Sequence, residues 1–301
     1  MAKGIVEADL GRVKALLDGV LGHSDYSDVQ RMGGLTNRTY RVEFADGSRI
    51  MVRIPGEGTE EMIDRSDEKV STQLACKLGI DAKLYHFGDD GAKVSEFVPN
   101  AVTMCAETMR EGKRIRQAAR ILKKLHDCGE DTGIPFDVFD MAAGYEKIIR
   151  ENNVPMYDDY DEIKTAVMEV KKHVDSVCDI KNVPCHNDPL CENWVLSADD
   201  DRLYLIDWEY AGMNDGIWDV ADVSIEGVFT PENDELMLTE YLGKKPDENE
   251  YKHFLANKLY VDYLWTLWAK TRVPYDGQPM EDWATERYER LKNNLKLFNE
   301  T

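Results

Sequence analysis

Apolar positions change their period several times along this chain, and the changes mark out its elements. From Glu7 to Leu21, the residues Leu10, Val13, Leu16, Leu17, Val20 and Leu21 form one broad stripe at helical spacing and predict an opening helix. The period then shortens. Residues 27–32, 39–44 and 49–54 read as strands, with Gly33-Gly34 punctuating the first connection and Asp46-Gly47 offering a tight turn in the second. A helix over 62–78 follows, then two short strands, 83–87 and 92–97, joined through Gly88-Asp89-Asp90-Gly91. These elements predict a small antiparallel sheet with a glycine-bearing loop between its first two strands.

Around Val98 and Pro99 the pattern turns mainly helical, so the boundary between an N-terminal part, 1–97, and a C-terminal part, 98–301, is expected there. Helical spacing recurs over 107–126, 161–177, 250–268 and 283–298, whereas 132–160 is less periodic and reads as loops around another short helix. Two short apolar runs, 194–196 and 203–206, flank the acidic turn Ala198-Asp199-Asp200-Asp201-Arg202 and predict a hairpin.

Composition narrows the function classes. A chain of 301 residues, 43% hydrophobic and 32% charged, suits a folded enzyme of one large unit or two lobes. Its formal charge of −21 argues against a body that binds nucleic acid nonspecifically, which needs a basic surface. A nucleotide would instead need magnesium with well-placed amides and basic side chains, while an acidic cleft would attract a cationic small molecule. Charges begin at once in the first residues and no apolar run is long enough to span a membrane, so a cytoplasmic location without membrane insertion is expected. The six cysteines form no CxxC pair, and reduced thiols filling apolar space are the expected state.

The strongest local signal is His186-Asn187-Asp188-Pro189-Leu190-Cys191-Glu192-Asn193, followed by Leu205-Ile206-Asp207-Trp208-Glu209. Its order is that of a catalytic loop, a hairpin and a metal-binding aspartate. On these residues the chain resembles the choline/ethanolamine kinase family, within the aminoglycoside phosphotransferase-like and protein-kinase-like superfamily. The resemblance implies an α+β, bilobal protein-kinase-like fold, with an antiparallel-sheet N-terminal lobe and a mainly helical C-terminal lobe. It also implies ATP as co-substrate and Mg2+. In such chemistry Asp188 orients the acceptor hydroxyl and receives its proton, while Asn193 and Asp207 hold the metal against the phosphates. His186 then supports the loop. Glu209 has three readings: a metal or water position, an acceptor contact, or a solvent-facing carboxylate. Any one of these acids alone could merely cap a turn; the ordered set is what points to phosphoryl transfer.

Upstream, the loop 33–39 can cover phosphates with backbone amides, with Gly34, Asn37, Arg38 and Thr39 as contacts, or it can be a plain hairpin turn. Arg53 stands where protein kinases place a phosphate-binding lysine, and the resembled family is expected to carry arginine there. A guanidinium can bridge phosphate oxygens and pair with a carboxylate at once. Glu68 is the candidate partner and Glu61 its competitor. The segment Glu96-Phe97-Val98 resembles the connection behind adenine, where the backbone of Glu96 and Val98 reads the purine edge. Met51 shares a strand face with Arg53, so it either walls the base or packs in the core.

For the acceptor, the stretch 219–226 and the run Tyr263-Leu264-Trp265-Thr266-Leu267-Trp268 again resemble the family. Trp265 and Trp268 share one helical side and read either as a core stripe or as rings around a quaternary ammonium. Tyr288 is a candidate third wall, and Glu226 a candidate attractor of the cationic head. Choline, a small cationic amino alcohol, suits an aromatic enclosure; ethanolamine, with N–H donors, suits carboxylates. Ethanolamine, an aminoglycoside or another small metabolite are the alternative acceptors, and a kinase-like binding protein without turnover is the non-enzymatic one.

Overall fold

The computed structural model describes residues 7–33, 37–56 and 64–301. In chain order its elements are α1 (Glu7–Leu21), β1 (Tyr26–Gly33), β2 (Asn37–Phe44), β3 (Arg49–Pro55), α2 (Arg65–Lys77), β4 (Leu84–Phe87), β5 (Lys93–Glu96) and β6 (Ala101–Thr103). Then come α3 (Ala106–Met109), α4 (Gly112–His126), α5 (Val138–Glu151), α6 (Tyr160–Val177), β7 (Asn182–Cys185), a 3-10 turn over Cys191–Asn193, β8 (Trp194–Ser197) and β9 (Leu203–Leu205). The chain finishes with β10 (Gly212–Asp215), α7 (Gly216–Glu226), α8 (Pro231–Leu242), α9 (Glu248–Asp276) and α10 (Gln278–Glu300). The expected start of the second helix at Met62, and the candidates Gly34 and Glu61, lie outside the described residues.

The described residues form two compact units, Met1–Met104 with Glu192–Ala211 and Cys105–Cys191 with Gly212–Thr301, rather than dividing once at Val98. The reason is strand pairing: β6 is antiparallel to β8, and β8 to β9, so the hairpin after the catalytic motif belongs to the first unit. That unit's main sheet has the order β1-β2-β3-β5-β4, and every adjacent pair is antiparallel. Alternation puts Tyr40, Val42, Ile50, Val52, Ile54 and Val94 into one core with Val13 and Leu17 of α1.

The second unit is built around α9, a 29-residue helix buried on almost every side through its middle. It packs against α5, α6, α7 and α10. Asp247 and Glu250 start it with a reciprocal capping pair. Two expectations change here. The single helix over 107–126 is two, because α3 ends at Met109 and Glu111 opens a new N-terminus for α4. The weakly periodic stretch 132–160 contains the 14-residue α5, started by the Asp137 carboxylate, which accepts from Phe139 and Asp140 amides. Among the described residues no helix is long and apolar enough to cross a membrane, and none of the six cysteines forms a disulfide.

Candidate active site

In the first unit, β3 and α2 bring a buried charge cluster together. Arg53 on β3 pairs with Glu68 on α2, donates to the Gly91 carbonyl at 3.0 Å and lies 5.4 Å from the Phe87 ring centre. Asp64 caps α2 by accepting the Ser66 and Asp67 amides, which fixes where its first turn begins. That turn carries Arg65, whose guanidinium reaches Glu68 at 2.6 Å, Glu209 at 3.1 Å and Asn37 at 3.3 Å. Asn37 in turn donates to Glu209. Glu68 therefore lies between two guanidinium groups. Burial works against its charge, but Arg53 and then Arg65 outweigh it and hold the carboxyl below its usual range.

Asp207 follows β9 in a left-handed backbone conformation, φ 70°, a strained state that a non-glycine residue adopts only where the surroundings enforce it. Its side chain is 40% exposed as a whole, but Oδ1 faces inward, without a hydrogen-bond partner among the described residues, 3.9 Å from Arg53. Burial pushes the Asp207 carboxyl up, against the pull of Arg53 and Lys93; burial and then Asp207 push Glu209 up. Oxygens of Glu68, Asp207 and Glu209 all lie within 4.8 Å of one another. Crowded carboxylates with one shielded, unsatisfied oxygen are the donor set that a hard divalent cation relieves. Asn193 ends the 3-10 turn, and its carbonyl accepts the Ile206 amide at 2.9 Å, so Asn193 and Asp207 flank the same end of the β8–β9 hairpin.

In the second unit, the loop carrying Asp188 is held from below by α7. Asp215 caps this helix through the Ile217 amide. Asp219, in the first turn, accepts the His186 and Asn187 amides at 2.8 Å each and lies 3.0 Å from His126 Nε2. Trp218 Nε1 donates to the Asn187 carbonyl at 3.0 Å, and Asn214 to the Asn187 side chain at 3.0 Å. A Cβ on Gly216 would meet His126 Nδ1 at 2.9 Å, so this close approach requires glycine. Asn187 is itself left-handed, φ 66°, and the loop turns there to present Asp188, which is half-buried. His186 is wholly buried and takes the Asp188 amide on Nδ1 at 3.3 Å, a supporting position. Asp219, Trp218, Asn214 and His126 were not singled out by sequence as holding this loop. The available signal was a carboxylate in the first turn of a glycine-started helix.

The aromatic candidates extend further than expected. Trp265 and Trp268 on α9 meet edge to face with ring centres 6.1 Å apart, and Trp268 meets Trp283 of α10 at 6.0 Å. Arg287 lies over the Trp283 ring at 4.0 Å and pairs with Glu226, so the Glu226 charge already has a cation. Tyr288 is apart from this series: it stacks on Tyr157 at 4.0 Å and donates to Asp159 at 2.8 Å. In the first unit, Arg38 is bound in a fork by Asp9 at 2.6 and 3.0 Å, and Thr39 faces Arg53 across β2 and β3. The Glu96 amide is committed to the Lys83 carbonyl at 2.8 Å, and Val98 follows just beyond β5.

Residues 29–288 match the family model described as choline/ethanolamine kinase. The solved choline kinase LicA from Streptococcus pneumoniae is 28% identical, superposes with a TM-score of 0.80, and shares 96% of this chain and 99% of its own. Protein LicA of Haemophilus influenzae is 27% identical over 287 residues, 92% of this chain and 82% of that protein. Ethanolamine kinase 2 of Mus musculus is 28% identical over 268 residues, 80% of this chain and 69% of that protein.

Proposed function

From the premise that the chain belongs to the choline/ethanolamine kinase family, we propose that it transfers the terminal phosphoryl group of ATP to the hydroxyl of choline. Phosphoryl transfer needs positioning and charge stabilisation more than covalent chemistry from the protein. Asp188, fixed through Asp219, accepts a hydrogen bond from the acceptor hydroxyl and takes its proton as the new P–O bond forms. Arg53 directs N–H groups at phosphate oxygens while Glu68 keeps its guanidinium in place. Because the Glu96 amide is occupied, the purine edge is read by the Glu96 carbonyl and the Val98 amide.

Asn193 and Asp207 are the residues proposed to hold magnesium, with Glu209 beside them; the shielded Asp207 oxygen, without a hydrogen-bond partner among the described residues, is the observation that fits them to it. When bound, magnesium offsets the negative charge of the nucleotide phosphates. Glu209 thus moves in this reading from the acceptor to the nucleotide side, because Asn37 and Arg65 hold it there.

The observation that carries choline over other acceptors is the pair Trp265 and Trp268, aromatic surface of the kind that takes a quaternary ammonium, beside a Trp283 ring that already has Arg287 over it. Likeness to a choline kinase along almost the whole chain supports the same reading. Ethanolamine is the second reading, supported by likeness to an ethanolamine kinase. The test is direct product detection with ATP and magnesium across choline, ethanolamine and an aminoglycoside panel. Phosphocholine with the highest kcat/KM is expected; a dominant product from any other acceptor overturns the assignment.

A further inference from the structure

Three carboxylates of α7 share one side of the helix at spacings of three and four residues: Asp219, Asp222 and Glu226. Their surroundings differ. Asp219 uses both oxygens on the catalytic loop, and Glu226 is paired with Arg287. Asp222 is 1% exposed, yet neither of its oxygens has a hydrogen-bond partner among the described residues. Burial drives its carboxyl well above the usual range; Glu226 and Asp188 push the same way, and Arg287 pulls against them. A folded protein rarely buries an acid with both oxygens unsatisfied unless something else supplies the donors. Asp219, one turn earlier on the same side of α7, holds the His186 and Asn187 amides that precede Asp188, so this side of the helix lies under the loop and the molecule whose hydroxyl Asp188 positions is the source of the missing donors.

We propose that Asp222 distinguishes acceptors by their N–H groups, taking hydrogen bonds from the ammonium of a primary or partly methylated amino alcohol, bonds that a quaternary ammonium cannot make. This rests on the reading of Asp188 as the alcohol-positioning residue. The site then has two means of holding a cation: tryptophan rings, which tolerate methyl groups, and one buried carboxyl, which rewards each N–H. Asp222 thereby sustains use of ethanolamine and its N-methylated forms beside choline.

The experiment measures kcat/KM of the full chain and of D222A and D222L, which remove both acceptor oxygens, with ethanolamine, N-methylethanolamine, N,N-dimethylethanolamine and choline. Both variants are expected to lose about tenfold or more with ethanolamine, less with each added methyl, and under about threefold with choline. Their melting temperatures should equal or exceed that of the unaltered chain, because an unsatisfied buried acid has been removed. Equal losses on all four acceptors, no loss on ethanolamine, or failure of both variants to fold overturns the proposal. No turnover of any amino alcohol by the unaltered chain overturns instead the family-level acceptor reading on which it stands, and this inference with it.

Discussion

The buried charges of the two units are balanced differently. In the first, Glu68 lies between Arg53 and Arg65, and Glu209 is bound by Arg65 and Asn37, so carboxylates and guanidinium groups interleave. On α7 in the second, Asp219 is fully used, Glu226 has one arginine and Asp222 has no hydrogen-bond partner among the described residues. Around Glu68 the interleaved charges hold their own geometry before any ligand arrives, whereas uncompensated oxygens, those of Asp222 on α7 and Oδ1 of Asp207 beside the Glu68 cluster, leave acceptor capacity for a cation. The contrast implies that removing Glu68 costs mainly stability, and that removing an acid of the Asp188 loop or Asp222 costs mainly turnover or selectivity.

The sharpest way to break this contrast is Asp188→Asn. The substitution keeps the size of the side chain and the loop held by Asp219 but removes the carboxylate proposed to accept the hydroxyl proton. Turnover should fall by about 10²–10⁴-fold with nucleotide affinity and melting temperature nearly unchanged. Near-parental turnover by the folded variant would reject the role, and a large loss of stability would place Asp188 with the structural charges instead.

The matching test in the first unit is Glu68→Ala. It leaves Arg53 and Arg65 buried without the carboxylate between them, and breaking a buried pair from one side costs about 3–5 kcal/mol. Urea unfolding measures this directly. A loss below about 1 kcal/mol would show that the interleaving is not what holds the cluster.

What could be read beforehand follows the same division. The strands of the first unit alternate cleanly, with Tyr40, Val42, Ile50, Val52 and Ile54 inward, so period alone placed them. The pair proposed to hold the metal, Asn193 and Asp207, stood out because a motif and a hairpin bracket them. Less was legible where charge is buried. The α5 pattern looked broken because Glu146 lies on its inner face, where the hydroxyl of Tyr160 and the amine of Lys164 satisfy it. Arg65 carried no signal, since nothing local to it shows that a residue as distant as Glu209 pairs with its guanidinium. Arg287 covering Trp283, and thereby meeting Glu226, depends on how α10 packs on α9 and α7, which no periodicity records.

A smaller effect sharpens the acceptor side. If the rings hold the ammonium, W268A should raise KM for choline by about tenfold and leave the nucleotide Kd unchanged, because a desolvated cation–π contact is worth about 1–2 kcal/mol. W265A removes a side chain that is 5% exposed and adds a packing loss, so its melting temperature should fall more than that of W268A. Unchanged choline kinetics in both variants would return the pair to simple core packing.

The smallest expected effect lies in the first unit but away from the Glu68 cluster. Asp9 is 2% exposed and accepts Arg38 at 2.6 and 3.0 Å and the Tyr40 hydroxyl at 2.5 Å. Burial alone would raise its carboxyl, but the hydrogen bonds from Arg38 and Tyr40 outweigh it and hold the pKa below the ordinary 3.8. A depressed folded-state value contributes stability that is present above the unfolded pKa and lost as pH falls through the folded one. The unaltered chain should therefore exceed D9N by about 1–2 kcal/mol near neutrality. In urea titrations that margin should shrink as pH is lowered from about 5 toward 2, because protonated Asp9 then resembles asparagine. A margin independent of pH would mean that Asp9 acts through packing alone. The same variant tests Arg38, which was expected to reach phosphate and pairs with Asp9: a nucleotide Kd unmoved by D9N marks it as part of the fold, and a tighter Kd marks Asp9 as its competitor.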